Sequence, residues 1–234
     1  MISFIGTLEG ITALCVLIFA SLFGLFSIIQ GFKKGADLLK IAGFMIVFIG
    51  LLWLGPSTDF ITIIITGRNL NNTYGLYGIL SYMWVAPAVI LAIAIGAELL
   101  VKERKQIIIC LFIILAFIFE FLLFFYTKES FIFVEPEESG ITLIDSQHNT
   151  KFYTFYLIII FLGSVALFNG IGFLMKARKT TGEIKKKFNL LSEGFLLFVI
   201  CAAFDSLATP GIGLIFVRLG VIGSIILLYN GLKT

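Results

Sequence analysis

Two ionisable side chains stand deep inside apolar runs of this 234-residue chain: Glu120 within Ile107–Tyr126, and Arg218 within Gly211–Asn230. A charge inside a bilayer costs a few kcal/mol on insertion scales and needs a partner or water. If the two runs are antiparallel spans, the charges lie roughly 6 and 3 Å to the same side of the midplane at 1.5 Å per residue. Similar depth and opposite sign predict a buried pair. That pair is a structural tie in one reading; in another it lines a ligand or ion pocket, or switches by protonation of Glu120. A third arrangement has no contact, with Arg218 reaching water through a cavity. Arg218 keeps its charge in all three, because a guanidinium does not deprotonate in proteins.

The other reactive residues argue mainly by exclusion. All the lysines lie outside the apolar runs or at their ends, so no buried amine is available for a Schiff base. The single histidine, His148, falls in a polar connection, which leaves a histidine-based haem, zinc or catalytic centre without parts. Cys15, Cys110 and Cys201 sit in three different apolar runs at no metal-binding spacing and read as buried small hydrophobes. There is no Walker-type glycine loop. The expectation is a protein that is not an enzyme and carries no cofactor or metal. Nothing in its charge pattern addresses a nucleic acid.

The elements that position these residues follow from composition. Hydrophobic residues make up 59% of the chain and charged ones 13%, too apolar for a soluble core with polar cover. The fold class expected is all-α, a polytopic transmembrane helix bundle and a single domain. Seven spans are expected, at about 11–29, 41–58, 77–100, 107–126, 152–175, 190–204 and 211–230. The second is ambiguous: it either continues through a kink at Pro56 to about Ile65, or gives way to a short outer helix capped at Ser57-Thr58-Asp59. Pro87 predicts a kink in the third. Asp205–Pro210 predicts a tight antiparallel connection of the last two.

Seven spans with the N-terminus outside and the C-terminus in the cytoplasm put 13 of the 17 basic residues inside, three outside and Arg218 in the membrane. That is a strong positive-inside bias. The connection between spans four and five carries two β-prone runs, Phe131–Val134 and Ile141–Ile144, around Glu135-Pro136-Glu137-Glu138-Ser139-Gly140. These predict an extracellular β-hairpin over the bundle mouth, either a lid or a plain solvated loop. Asp59, Arg68, Glu135, Glu137 and Glu138 belong to this outer face. On the inner face, a basic loop from Lys176 to Phe188 holds Lys176, Arg178, Lys179, Lys185, Lys186 and Lys187. It is placed to rest on anionic lipid headgroups or to dock a cytoplasmic partner. Glu98 and Lys102 read as a helical pair, Glu193 and Asp205 as interfacial, and Asn169 and Tyr229 as helix–helix hydrogen-bonding groups. Small residues at Ala20 and Gly24, Gly163 and Ser164, Gly170 and Gly172, and Gly220 and Ser224 suit close helix packing or a homo-oligomeric seam.

The string Gly50-Leu51-Leu52-Trp53-Leu54-Gly55-Pro56, Asp59-Phe60, Thr66-Gly67 and Tyr74-Gly75-Leu76-Tyr77-Gly78-Ile79-Leu80-Ser81-Tyr82-Met83-Trp84-Val85-Ala86-Pro87 resembles a group of uncharacterised archaeal seven-helix membrane proteins. The ending Arg218-Leu219 through Leu227-Leu228-Tyr229-Asn230-Gly231 is similar to the last helix of that group. The chain also resembles, in topology and size, the seven-helix sensor region of archaeal histidine kinases. The first resemblance implies a membrane-embedded module without catalytic residues. The second implies sensing, and since Thr234 follows with no kinase domain, a signal would pass to a separate cytoplasmic protein. The leading expectation is a stand-alone sensor-like or receptor-like module in the cell membrane. A small-molecule or ion transporter is the alternative, weakened by the lack of an internal repeat or a matching pair of Gly/Pro-broken helices. A structural subunit of a membrane complex is the third.

Overall fold

A computed structural model of the chain describes residues 2–207, 211 and 213–233. Helices dominate: α1 (Phe4–Lys34), α2 (Asp37–Leu51), α3 (Leu54–Thr66), α4 (Leu76–Tyr82), α5 (Val85–Leu100), α6 (Lys105–Phe125) and the single turn α7 (Thr127–Ser130). Two short strands follow, β1 (Phe131–Val134) and β2 (Asp145–His148), then α8 (Tyr153–Ser164), α9 (Gly172–Arg178), α10 (Gly182–Leu207) and α11 (Gly213–Leu232). Among the described residues six helical segments are long and apolar enough to cross a membrane, and seven if the bent pair α2–α3 counts as one. The chain is thus a multi-pass membrane bundle. Its outer surface agrees: Ile107, Phe117, Phe125 and Phe216 are each more than 70% exposed, an apolar surface consistent with a bilayer environment.

Both helix breaks have the same cause. Proline lacks an N–H, and its ring crowds the carbonyl four residues earlier. Four residues before Pro56 is Leu52, and α2 and α3 part at Leu52–Trp53 with a bend of 47°. Four residues before Pro87 is Met83, and α4 and α5 part at Met83–Trp84. Each break thus sits at a Trp-x-x-Pro sequence in neighbouring segments, a matching pair of broken helices that the sequence reading had not found. Of the two paths open at Pro56, the chain takes the bent continuation to Thr66, with no side-chain cap at the start of α3.

A third irregularity lies between α8 and α9, where Val165–Ile171 forms a π-helical segment. The wider turn leaves carbonyls free for neighbours. Ser192 Oγ on α10 donates to the Gly170 carbonyl at 2.7 Å, and Asn169 Nδ2 donates to the Ala92 carbonyl of α5 at 2.6 Å. Asn169 therefore ties the π-helical segment to α5, and Ser192 ties it to α10, whereas Tyr229 packs its ring against Phe23 and Phe26 of α1.

The core runs through Ala13, Val16, Met45, Ile46, Ile93, Ile95, Phe161, Phe195 and Ile225. Helices α1 and α2 cross closely: a methyl on Gly24 would lie 2.7 Å from the Gly43 carbonyl, and one on Gly43 would lie 2.8 Å from the Gly24 carbonyl. Gly163, by contrast, has open space where a side chain would go. Cys201 is buried, but Cys15 and Cys110 face outward from the bundle, contrary to expectation. The last two helices pack antiparallel, with Gly220 against Cys201 and Gly231 against Leu191. Of the expected Asp205–Pro210 connection, residues 208–210 lie outside the described ones.

Two further expectations change. The second strand is Asp145–His148, not Ile141–Ile144, with register Phe131↔His148 to Val134↔Asp145. The apolar run Ile141–Ile144 instead spends its backbone elsewhere: Ser3 N donates to the Ile141 carbonyl at 2.8 Å, and Ile144 N to Asp59 at 2.8 Å. Leu143 and Ile144 are buried as a plug above the helices. The basic loop is largely helical. Only Lys179–Thr181 separates α9 from α10, so Lys176 and Arg178 lie on one helix end and Lys185–Lys187 on the next.

Candidate functional site

The hairpin covers one end of the bundle, together with the starts of α1, α4, α8 and α11. Beneath it lies a cavity of about 150 Å³. Its walls come from both helix breaks, through Trp53 and Pro56 and through Tyr77, Ser81, Tyr82 and Val85. Ile158 and Leu162 of α8, Phe198 and Ala202 of α10, and Leu214 of α11 add apolar surface, and Ile144–Ser146 with His148 form the roof. Three carboxylates and one guanidinium line it: Glu9, Asp145, Asp205 and Arg218.

Arg218 is its anchor. Only 6% exposed, it donates from Nη1 to the Glu9 backbone carbonyl and to Thr12 Oγ1, both at 2.6 Å. Its Nε meets Asp205 Oδ1 at 3.4 Å. The Trp53 indole nitrogen is directed at the same Asp205 but does not close a hydrogen bond. Arg218 and Glu120 therefore form no ion pair, and the pair expected from their depth is corrected. The reason is lateral: α11 packs on α10, α1 and α2, whereas α6 packs on α5 and α8. Depth along a helix says nothing about which neighbours surround it. Both Glu120 carboxylate oxygens are enclosed without a hydrogen-bond partner, away from the cavity.

Three cavity-lining side chains hold buried polar atoms without partners: Glu9 Oε1, Trp53 Nε1 and both ring nitrogens of His148. Glu9 itself is only 6% exposed. His148 sits among the rings of Tyr82, Phe131 and Phe155, with centroids 4.9, 5.3 and 6.3 Å away. Burial there pushes its pKa down to about 4, so its ring is neutral at physiological pH. Orphaned buried polar groups are costly and call for an explanation; several around one cavity point to a polar occupant.

The roof is fastened by Asp59, which is fully buried. Its carboxylate accepts from Leu70 N at 2.7 Å, Ile144 N at 2.8 Å and Asn69 Nδ2 at 3.0 Å. Asn69 in turn accepts from Gly140 N at 2.7 Å and donates to the Thr142 carbonyl at 2.8 Å. Grouped by sequence with the outer-face loop residues, Asp59 lies within α3 and is a latch between that helix and the hairpin connection. Arg68, Glu135, Glu137 and Glu138 are exposed and outside the cavity.

At the opposite end, Lys176, Arg178, Lys179, Lys185 and Lys186 are exposed, and Lys187 is half-buried. Glu98 pairs with Lys102 at 3.1 Å and with Lys105 at 3.0 Å. A second cavity of about 450 Å³ lies there, lined by Asp37, Glu98, Lys105, Lys187 and apolar residues.

Sequence reasoning missed Glu9 and set Asp205 at an interface. A signal for Glu9 existed. Ser3 caps α1, accepting from Gly6 N at 3.0 Å; a helix begun at that cap rather than at Ile11 takes in Glu9 and Thr12. Compared with known protein families and with curated proteins, the chain shows no match to either.

Proposed function

We propose that the protein is a receptor-like membrane module that takes a small molecule at the hairpin end and relays its presence to a separate partner at the basic end. The observation that carries this reading is the roofed cavity, with three unpartnered polar side chains facing it. Pockets built this way, mostly apolar with a few convergent polar groups, are the usual form of a small-molecule site. In this reading the chain crosses the membrane seven times, the bent pair α2–α3 being one crossing. The hairpin end lies outside and the basic end in the cytoplasm, following the positive-inside bias. The resemblance to archaeal seven-helix proteins supports it: the string Gly50–Pro87 supplies Trp53, Pro56, Tyr77, Ser81 and Tyr82 to the cavity. Arg218 couples α1, α10 and α11 at the cavity, and α10 and α11 continue to the basic end, where Lys176–Lys187 form the contact surface for anionic lipid or a protein. Photo-crosslinkers placed at Arg178 and Lys186 in native membranes test the relay. One specific cytoplasmic protein captured from both positions is expected; labelling of lipid alone overturns it.

A transporter is the second reading. It is favoured by the two Trp-x-x-Pro breaks and by a second cavity at the other end of the same bundle, features shared with alternating-access proteins. Uptake of a solute into proteoliposomes, abolished by filling the hairpin-end cavity, would decide for it.

A further inference from the structure

The charge inventory of the hairpin-end cavity narrows its ligand. We propose that it binds a small organic cation, an ammonium on an apolar body about the size of benzene, with Glu9 as its counter-ion. This rests on reading the cavity as a ligand site and adds the chemical class.

Glu9 Oε1 is the deciding atom. It belongs to a side chain only 6% exposed, lines the cavity and, among the described residues, has no hydrogen-bond donor, although the Gly211 backbone amide donates to the carboxyl group. The nearby guanidinium attracts it through space but does not hydrogen-bond the carboxylate. Arg218 spends Nη1 on the Glu9 backbone carbonyl and on Thr12, and Nε on Asp205. One guanidinium therefore faces three carboxylates, Glu9, Asp145 and Asp205. Asp145 has a neutral partner, accepting from Gln147 Nε2 at 3.3 Å. His148, closed in by aromatic rings, adds no charge at neutral pH. By formal count the carboxylates outnumber the guanidinium, and with Glu9 and Arg218 each only 6% exposed this excess disfavours an anion and is not balanced by a neutral ligand.

An ammonium supplies what is missing. Its N–H groups give Glu9 a charge-assisted hydrogen bond, and the aromatic walls at Trp53 and Tyr77 tolerate a cation where an aliphatic wall would not. Size sets the rest of the ligand. A dry cavity near 150 Å³ is large enough for benzene, so the body has about six to eight heavy atoms. Val85, Val89, Leu162 and Phe198 supply its apolar surroundings.

Calorimetry on the full chain in zwitterionic nanodiscs tests this with three probes of one shape: cyclohexylammonium, cyclohexanol and cyclohexanecarboxylate. Saturable binding is expected for the ammonium, at least about tenfold tighter than for the alcohol, and none for the carboxylate. Glu9→Gln should erase that preference. Ala202→Leu, which fills the cavity without changing charge, should abolish ammonium binding. If the alcohol or the carboxylate binds as tightly as the ammonium, or a folded Glu9→Gln retains the preference, the cation assignment falls while the ligand-site reading stands. If no probe saturates, or Ala202→Leu leaves ammonium binding intact, the site reading falls with it. The wild-type ranking of the three probes is informative whether or not either variant folds.

Discussion

The two ends of this bundle use charge in opposite ways. At the basic end, charged side chains pair with one another at the surface, as Glu98 does with Lys102 and Lys105 and Asp37 with Lys40. At the hairpin end they are buried and bound largely to backbone: Arg218 to the Glu9 carbonyl, Asp59 to the amides of Leu70 and Ile144. A surface pair trades one solvated arrangement for another and contributes little. A buried charge on backbone groups fixes where loops and helices lie, and removing it leaves donors or acceptors unsatisfied. The difference shows that the hairpin end is where this protein keeps precise geometry and the basic end is where it keeps an open surface.

The sharpest way to break that contrast is to remove its anchor. Arg218→Gln should cost about 3–5 kcal/mol, the range for breaking a buried pair, read as thermal unfolding in detergent. A loss no larger than that of Lys185→Gln would erase the distinction between the ends. Asp59→Asn comes next. One amide oxygen cannot replace a carboxylate that accepts from three donors, and a loss of about 3 kcal/mol is expected. Hydrogen exchange at the Ile144 amide should accelerate in step with it, which global loosening of α10 and α11 would not produce alone.

Glu120 sharpens the comparison from the other side. With its oxygens enclosed and unpartnered, Glu120→Leu should stabilise the protein by about 1–3 kcal/mol. Combined with Arg218→Gln, the two effects should add, because no contact joins them. Strong non-additivity would restore the pair expected from depth alone.

His148 gives a smaller, pH-dependent effect. Its folded pKa of about 4 lies below the ordinary 6.5, so between those values the unfolded chain binds the proton first. Its contribution to stability is complete above about pH 6.5 and is lost as pH falls toward 4. His148→Phe should flatten that part of the acid unfolding profile; an unchanged profile would place the titration elsewhere. The smallest effect belongs to the basic end. Lys176→Gln with Lys185→Gln should leave the melting temperature unchanged while weakening attachment to anionic vesicles when the proposed inner face is exposed to them.

Much of the fold was legible because membrane helices announce themselves locally. Runs such as Ile107–Tyr126 need no partner to identify them, and Pro56 and Pro87 mark spans that cannot run straight, though only the structure sets the breaks at Leu52–Trp53 and Met83–Trp84. The starts and ends were less legible. The charge-free run begins only at Gly10, yet Glu9 before it is buried in the same helix, where Arg218, more than 200 positions away, lies beside it. The Ile141–Ile144 run has the composition of a strand and becomes a plug, since Ser3 and Asp59 claim its backbone first.

By itself the sequence determined that the chain is an apolar helical bundle, that prolines interrupt its second and third spans, and that its basic residues gather at the ends of its helices. These are local properties, written in composition and in the geometry of proline. Which helices touch was decided only in the tertiary structure. Lateral order in a bundle comes from packing of small residues and from a few buried polar ties, and one-dimensional spacing carries no record of it. That is why depth suggested Glu120 as the partner of Arg218, and why the neighbours Arg218 has are Asp205, Thr12 and the backbone of Glu9.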